Sequence, residues 1–243
     1  MLPIFVLGIF FHQRRLYERM AGFMLFAVIF NRFLKHIFKI PLLPHLGNGY
    51  AFPSGHMHAA MVFYGYALYS VDDRRIKALI TAILLGEGFS LIYLKFHGLA
   101  DLLGAIGFAV LEILCYHQLV FKFGKKRGEM CIAGISVTMS LLFTAILSSM
   151  GAAVHYVWIG FYGLVGIILS SLIDDRKLET LEQKFLALLT AVALNGLVWM
   201  VFKVIDFRYY FLSELKFLFI PLIMAKSIDF YGKREKRSLS SGL

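Results

Sequence analysis

A chain of 243 residues, 59% of them apolar and only 16% charged, holds more hydrophobic surface than a soluble fold of that size needs; its mean hydropathy is +0.74. That balance points to a polytopic membrane protein and excludes a disordered, collagen-like or disulfide-stapled one. The formal net charge of +10 comes from basic residues set between apolar runs, where they orient helices and meet anionic headgroups, so nucleic acid is not expected as a partner.

Met1 to Phe11 is apolar but short, and its charges, Arg14, Arg15 and Arg19, come after it, the reverse of a cleaved signal peptide. It reads as a short membrane-embedded or interfacial helix. Stretches of about 17–25 apolar residues, long enough to cross roughly 30 Å of hydrocarbon, then lie near 20–40, 55–71, 78–95, 99–121, 130–149, 153–173, 185–204 and 208–225. The expected fold is all-α: a polytopic transmembrane bundle of about eight spans plus the short N-terminal helix, in a single integral membrane domain, 1–243. Alternating the spans puts 18 of the 25 Lys and Arg on one side, in 12–19, 72–77, 122–129, 174–184 and 226–243. The positive-inside rule makes that side cytoplasmic. The connections near 41–54, 95–98, 150–153 and 205–208 then face outward, and a bacterial inner membrane is the expected location. Cys115 and Cys131 fall near cytoplasmic helix ends and read as reduced packing residues. Lys233–Leu243, rich in Lys, Arg and Ser, reads as a frayed tail on an anionic membrane surface.

Two outward connections carry the chemistry. Pro53-Ser54-Gly55-His56 breaks the apolar pattern and opens into a helical run, Met57 to Ser70. Pro at the start, Ser as cap and Gly allowing close approach describe a helix N-terminus with free amides, which attracts an anion. The bland alternative is a well-capped helix with an interfacial histidine. The second set is Ser90, Lys95, His97 and Asp101. A four-residue step puts His97 and Asp101 on one helix face, where the carboxylate orients the imidazole and leaves it a competent nucleophile; headgroup hydrogen bonding is the alternative.

Together the sets resemble the type 2 phosphatidic-acid phosphatase superfamily, whose signatures run Lys-x6-Arg-Pro, Pro-Ser-Gly-His and Ser-Arg-x5-His-x3-Asp. The second is intact at Pro53–His56; the third matches at Ser90, His97 and Asp101 but has Leu91 at its arginine; the first offers Lys35, with Leu42 at the arginine and Leu43 at the proline. The likeness covers roughly residues 30–110, within a phosphatase-like core of 20–121; the helices of 130–225 lie outside it. It implies that His97 attacks phosphorus to give a phosphohistidine, that Asp101 holds His97, and that His56 protonates the departing oxygen. Lys35, Ser54, Gly55 and Ser90 would bind phosphoryl oxygens, with neither metal nor cofactor. The implied partners are membrane lipids and a substrate that is a phospholipid or isoprenoid phosphate.

Leucine supplies none of an arginine's charge-assisted contacts, each worth about 1.5–3 kcal/mol, so losing both costs on the order of 3–6 kcal/mol of phosphate stabilisation. Lys39, one turn after Lys35, and Lys95, four residues after Leu91, are the expected replacements, although a lysine lacks the bidentate fork. The primary reading is a lipid phosphomonoester phosphatase. The alternatives are a phosphodiester headgroup transferase or phospholipase C-like enzyme, as in the sphingomyelin synthases that resemble this superfamily, and a retired scaffold that binds or moves lipids. Glu87, inside a span and on the face of Ser90, is expected to pair with Lys35, Lys39 or Arg32; Glu112 is expected to make a similar structural pair; and His58 is expected to be interfacial.

Overall fold

In hydrocarbon each backbone N–H and C=O must be satisfied within its own segment, so long apolar runs fold as helices. The computed structural model describes residues 2–173, 176–205 and 209–232, whose regular elements are helices joined by short connections, with no strand among them. Among the described residues five helices are long and apolar enough to cross a membrane: Phe5–Phe38, Arg74–Tyr93, Leu99–Phe123, Arg127–Ser149 and Leu181–Val204. Large apolar side chains such as Leu85, Phe89, Leu103 and Phe121 stand on the outside, as a protein solvated by lipid requires.

The first segment departs from expectation. Helix α1 (Leu2–Gly8), a π-helical turn (Ile9–Gln13) and α2 (Arg14–Phe38) follow one another without a loop, so 12–19 is helix and not a connection. Side-chain pairing explains it. Arg14 Nε donates to Glu18 Oε1 at 2.8 Å, one turn on, and Ser170 Oγ donates to the same oxygen at 2.9 Å. Arg15 donates to the carbonyls of Ser171 and Ile173 at 2.7 and 3.0 Å. Charges that read as loop residues thus neutralise one another and satisfy carbonyls at and just beyond the end of the helix that closes at Ser170.

The chain divides into two compact units. One runs from Met20 to Leu164 and contains most of α2, then α3 (Gly55–Ser70), α4 (Arg74–Tyr93), α5 (Leu99–Phe123), α6 (Lys125–Ser149) and the first part of α7 (His155–Ser170). Here α3 packs on α4 and α5, and α5 on α6. Small residues allow close approach: Ala27, Val62 and Ala109 form one buried cluster, and a Cβ on Gly160 would lie 3.2 Å from the Leu25 carbonyl oxygen. A larger cluster gathers Ile29, Phe143, Leu147 and Val157, with the Phe33 and Phe143 rings stacked at 4.2 Å. Between α2 and α3 the chain doubles back through a lone antiparallel bridge, Pro41 to Tyr50, closed by Leu42 N–H to Gly49 O at 3.1 Å and Ala51 N–H to Ile40 O at 2.8 Å.

The other unit comprises the described residues up to Arg19 and from Val165 on. Its α8 (Leu181–Val204) packs on α10 (Lys216–Tyr231) around Ala187, Ala191, Met224 and Ile228, with Ile9 and Phe10 in the same cluster. A single turn, α9 (Tyr210–Ser213), precedes α10. The last helix therefore lies later than the apolar run at 208–225: Lys216, paired with Glu214 at 3.3 Å and seated 4.9 Å over the Trp199 ring, marks its start. Cys115 and Cys131 are free and exposed on their helices. Residues 206–208, in the expected outer connection, and the tail Lys233–Leu243 lie outside the described residues.

Candidate functional site

Ser54 caps α3. Its Oγ accepts from the Met57 N–H at 3.5 Å, and the first intrahelical bond runs from His58 N–H to Ser54 O at 3.0 Å. The N–H groups of Gly55 and His56 come before that bond, which is what makes a helix start attractive to an anion. Ser54 is fully buried and its hydroxyl is occupied by the cap, whereas His56 is exposed. A Cβ on Gly55 would meet Asn31 Oδ1 at 3.2 Å, a tight contact that would press on the α2 side chain.

The second segment turns from α4 into α5. Asp101, in the first turn of α5, accepts the Gly98 N–H on Oδ2 at 2.9 Å, and the same oxygen lies 3.3 Å from His97 Nδ1. A carboxylate can only accept, so Nδ1 carries the proton and Nε2 keeps its lone pair. Burial lowers the His97 pKa below its ordinary 6.5; the Lys35 ammonium and His56 lower it further, while Asp101 works against them. His97 is therefore held neutral and oriented at neutral pH. The two segments are joined through the backbone, the Ser54 N–H donating to the Asp101 carbonyl at 3.0 Å.

Both histidines open on one cavity of about 410 Å3. Ser90 is its third polar lining residue; the others are Leu42, Leu46, Leu91, Leu94 and Phe96. The two leucines at the arginine positions of the resembling family thus both line the cavity. Leu91 is deeply set, packed with Met57, Leu102 and Ala105, while Leu42 is half-buried in the doubled-back loop.

The lysines fall elsewhere. Lys35 Nζ donates to the carbonyls of Tyr50 and Ala51 at 2.6 and 3.2 Å, fastening the lead-in to α3, and its charge reaches His97. Lys39 and Lys95 are exposed, both with left-handed backbone (φ 51° and 56°), and neither lines the cavity. The Lys95 carbonyl lies 3.1 Å from His45 Nε2, and Ser90 Oγ donates to Glu87 O at 2.8 Å.

Two sequence expectations are corrected. Glu87 forms no ion pair among the described residues, since Lys35 is turned to carbonyls and Arg32 Nε donates to Ala152 O at 3.3 Å. His58 is not interfacial but fully buried, its Nε2 2.9 Å from Glu112 Oε1. Asn31, also buried, completes this group through Pro53 O and His58 Nδ1 at 3.2 and 3.3 Å. Sequence reading passed over Asn31 and misplaced His58, although polar residues inside apolar runs are the signal that flags such positions. No family model, curated protein or solved structure matches this chain.

Proposed function

We propose that the chain is a membrane-embedded lipid phosphatase of the type 2 phosphatidic-acid phosphatase kind, acting through a phosphohistidine. The observation that carries the reading is the convergence of His56 and His97 on one cavity, with Asp101 on His97 Nδ1. In the reaction, the His97 Nε2 lone pair attacks phosphorus while the bond from phosphorus to the lipid oxygen breaks. His56 gives that oxygen its proton and the lipid alcohol leaves. Water, deprotonated by His56, then attacks phosphorus; the bond to His97 breaks and phosphate departs. The amides at the start of α3 would receive the phosphoryl oxygens, whose charge such a site must stabilise, and the Ser90 hydroxyl would join them by giving up its bond to the Glu87 carbonyl.

The topology belongs to the same proposal. Eight spans need α3, α7 and α10 to cross as well; 16 residues give each about 24 Å of helix, short for a full hydrocarbon core. The site would face the non-cytoplasmic side of a bacterial inner membrane, opposite most of the lysines and arginines. The apolar lining suits a substrate whose tail stays in the bilayer.

A specific observation favours a second reading. Among the described residues no lysine or arginine lines the cavity, and Leu42 and Leu91 do. A phosphodiester, with one negative charge instead of nearly two, asks for fewer cations, so a headgroup transferase or phospholipase C-like reaction with the same nucleophile is the alternative. Purified protein given lipid phosphomonoesters and phosphodiesters in mixed micelles decides between them, read as released phosphate or headgroup. Turnover that survives in both His97→Ala and His56→Ala refutes the mechanism; turnover confined to diesters selects the second reading.

A further inference from the structure

A second imidazole and carboxylate pair lies in the same unit, away from the cavity. His58 is fully buried, its Nε2 2.9 Å from Glu112 Oε1 across the contact of α3 with α5. On its other side, His58 Nδ1 is 3.3 Å from Asn31 Nδ2, and the same amide nitrogen reaches the Pro53 carbonyl at 3.2 Å.

The polarity of this chain of contacts is fixed at one end. A carbonyl only accepts, so the atom facing Pro53 O must be the Asn31 amide nitrogen, whose two hydrogens serve Pro53 O and His58 Nδ1. Nδ1 is then an acceptor and the His58 proton sits on Nε2, the atom 2.9 Å from Glu112 Oε1. The chain of contacts ends on the carbonyl directly before Ser54, Gly55 and His56. Rings and carboxylates inside a bundle are costly unless paired, and they mark functional positions more often than packing ones.

We infer that Asn31, His58 and Glu112 are positioning residues that fix the start of α3, and with it the His56 ring and the anion-binding amides. None of the three lines the cavity. Their effect on catalysis rests on the phosphohistidine reading; their effect on the His56 ring does not. They differ in role from His97 and Asp101, which meet the reacting phosphorus directly or through one bond.

The test uses the full chain in detergent. Glu112→Leu and Asn31→Asp are the main variants, the second keeping volume while removing both donated hydrogens. Glu112→Gln, which keeps the volume and a carbonyl oxygen beside His58, is the conservative control. Displaced general acid and amides should lower kcat per folded molecule roughly tenfold to a hundredfold, the scale of a reacting group out of place by about 1 Å. KM should change little, and Glu112→Gln should keep most of the rate. In parallel, protein labelled with nitrogen-15 histidine reports the rings, His56 being assigned by its loss in His56→Gln. Shifted His56 signals in Glu112→Leu and Asn31→Asp support the inference. Unmoved His56 signals, or an undiminished kcat per folded molecule, overturn it. If the unmodified protein turns over neither ester class, the enzymatic reading fails by itself, and the histidine signals still decide the positioning role. If Glu112→Leu does not fold, Asn31→Asp carries the same two readouts.

Discussion

His97 with Asp101 and His58 with Glu112 are the same chemical pair set in two surroundings. The first sits where a loop enters a helix, its carboxylate also holding the Gly98 amide and its ring opening on a cavity. The second sits between two helices, with the ring fully enclosed and its far side taken up by Asn31. In both, a carboxylate oxygen lies close beside an imidazole nitrogen, at 3.3 and 2.9 Å. Of the two rings, only that of His97 lines the cavity. Residue type therefore does not separate a candidate reactive histidine from a structural one; what the ring faces does.

The comparison breaks most sharply at His97, the proposed nucleophile. His97→Ala should lower turnover by at least about a thousandfold and abolish radiolabel transferred from a labelled lipid phosphate to protein, the scale lost when a nucleophile or its base is removed. His58→Leu should retain that label on the folded fraction. Equal losses in the two would dissolve the distinction.

Orientation comes next. Asp101→Asn keeps an acceptor for the Gly98 amide but no longer charge-stabilises the ring; turnover should fall on the order of a hundredfold to ten-thousandfold. Stability separates the pairs in the other direction. Leaving one member of the buried pair alone, as in His58→Leu or Glu112→Leu, should cost about 3–5 kcal/mol in detergent unfolding, while the double variant should cost much less than the sum. Additive single and double losses would show that His58 and Glu112 do not act together.

Smaller effects sharpen the picture at the cavity wall. Leu42→Arg, at a half-buried loop position, should raise phosphomonoester turnover by about tenfold if a single charge-assisted contact is what the site lacks. Leu91→Arg should instead lower the amount of folded protein, because that side chain packs with Met57, Leu102 and Ala105. The smallest expected change is in pH dependence. Below the His97 pKa the ring is protonated and cannot attack, so under the proposed mechanism kcat/KM should show an acidic limb, which burial and the Lys35 charge keep under the ordinary 6.5. Removing the charge in Lys35→Met should move that limb to higher pH; a limb moving to lower pH would show that the ammonium does not act on His97.

Much of this was legible in the sequence, for a physical reason. His97 and Asp101 are four residues apart and Pro53–His56 is contiguous, so local spacing alone places each group on its helix start. Pairing between distant segments leaves no such trace. His58 and Glu112 are 54 positions apart, and only the packing of α3 on α5 joins them. The same limit explains the first helix: Arg14 and Glu18 look like a charged connection until Ser170 is seen to share their hydrogen bonds. It also explains the lysines. Lys95 follows Leu91 by one turn of an ideal helix, but α4 ends at Tyr93 and the left-handed backbone at Lys95 puts it outside the cavity.

The bond from the Ser54 amide to the Asp101 carbonyl joins main chain to main chain. An alanine scan would pass over it in silence, since exchanging either side chain leaves donor and acceptor in place. Only proline at 54 deletes the donor outright. The spacing of the two helix starts is thus written partly in the polypeptide itself, a tie that survives exchange of the side chains on either end of it.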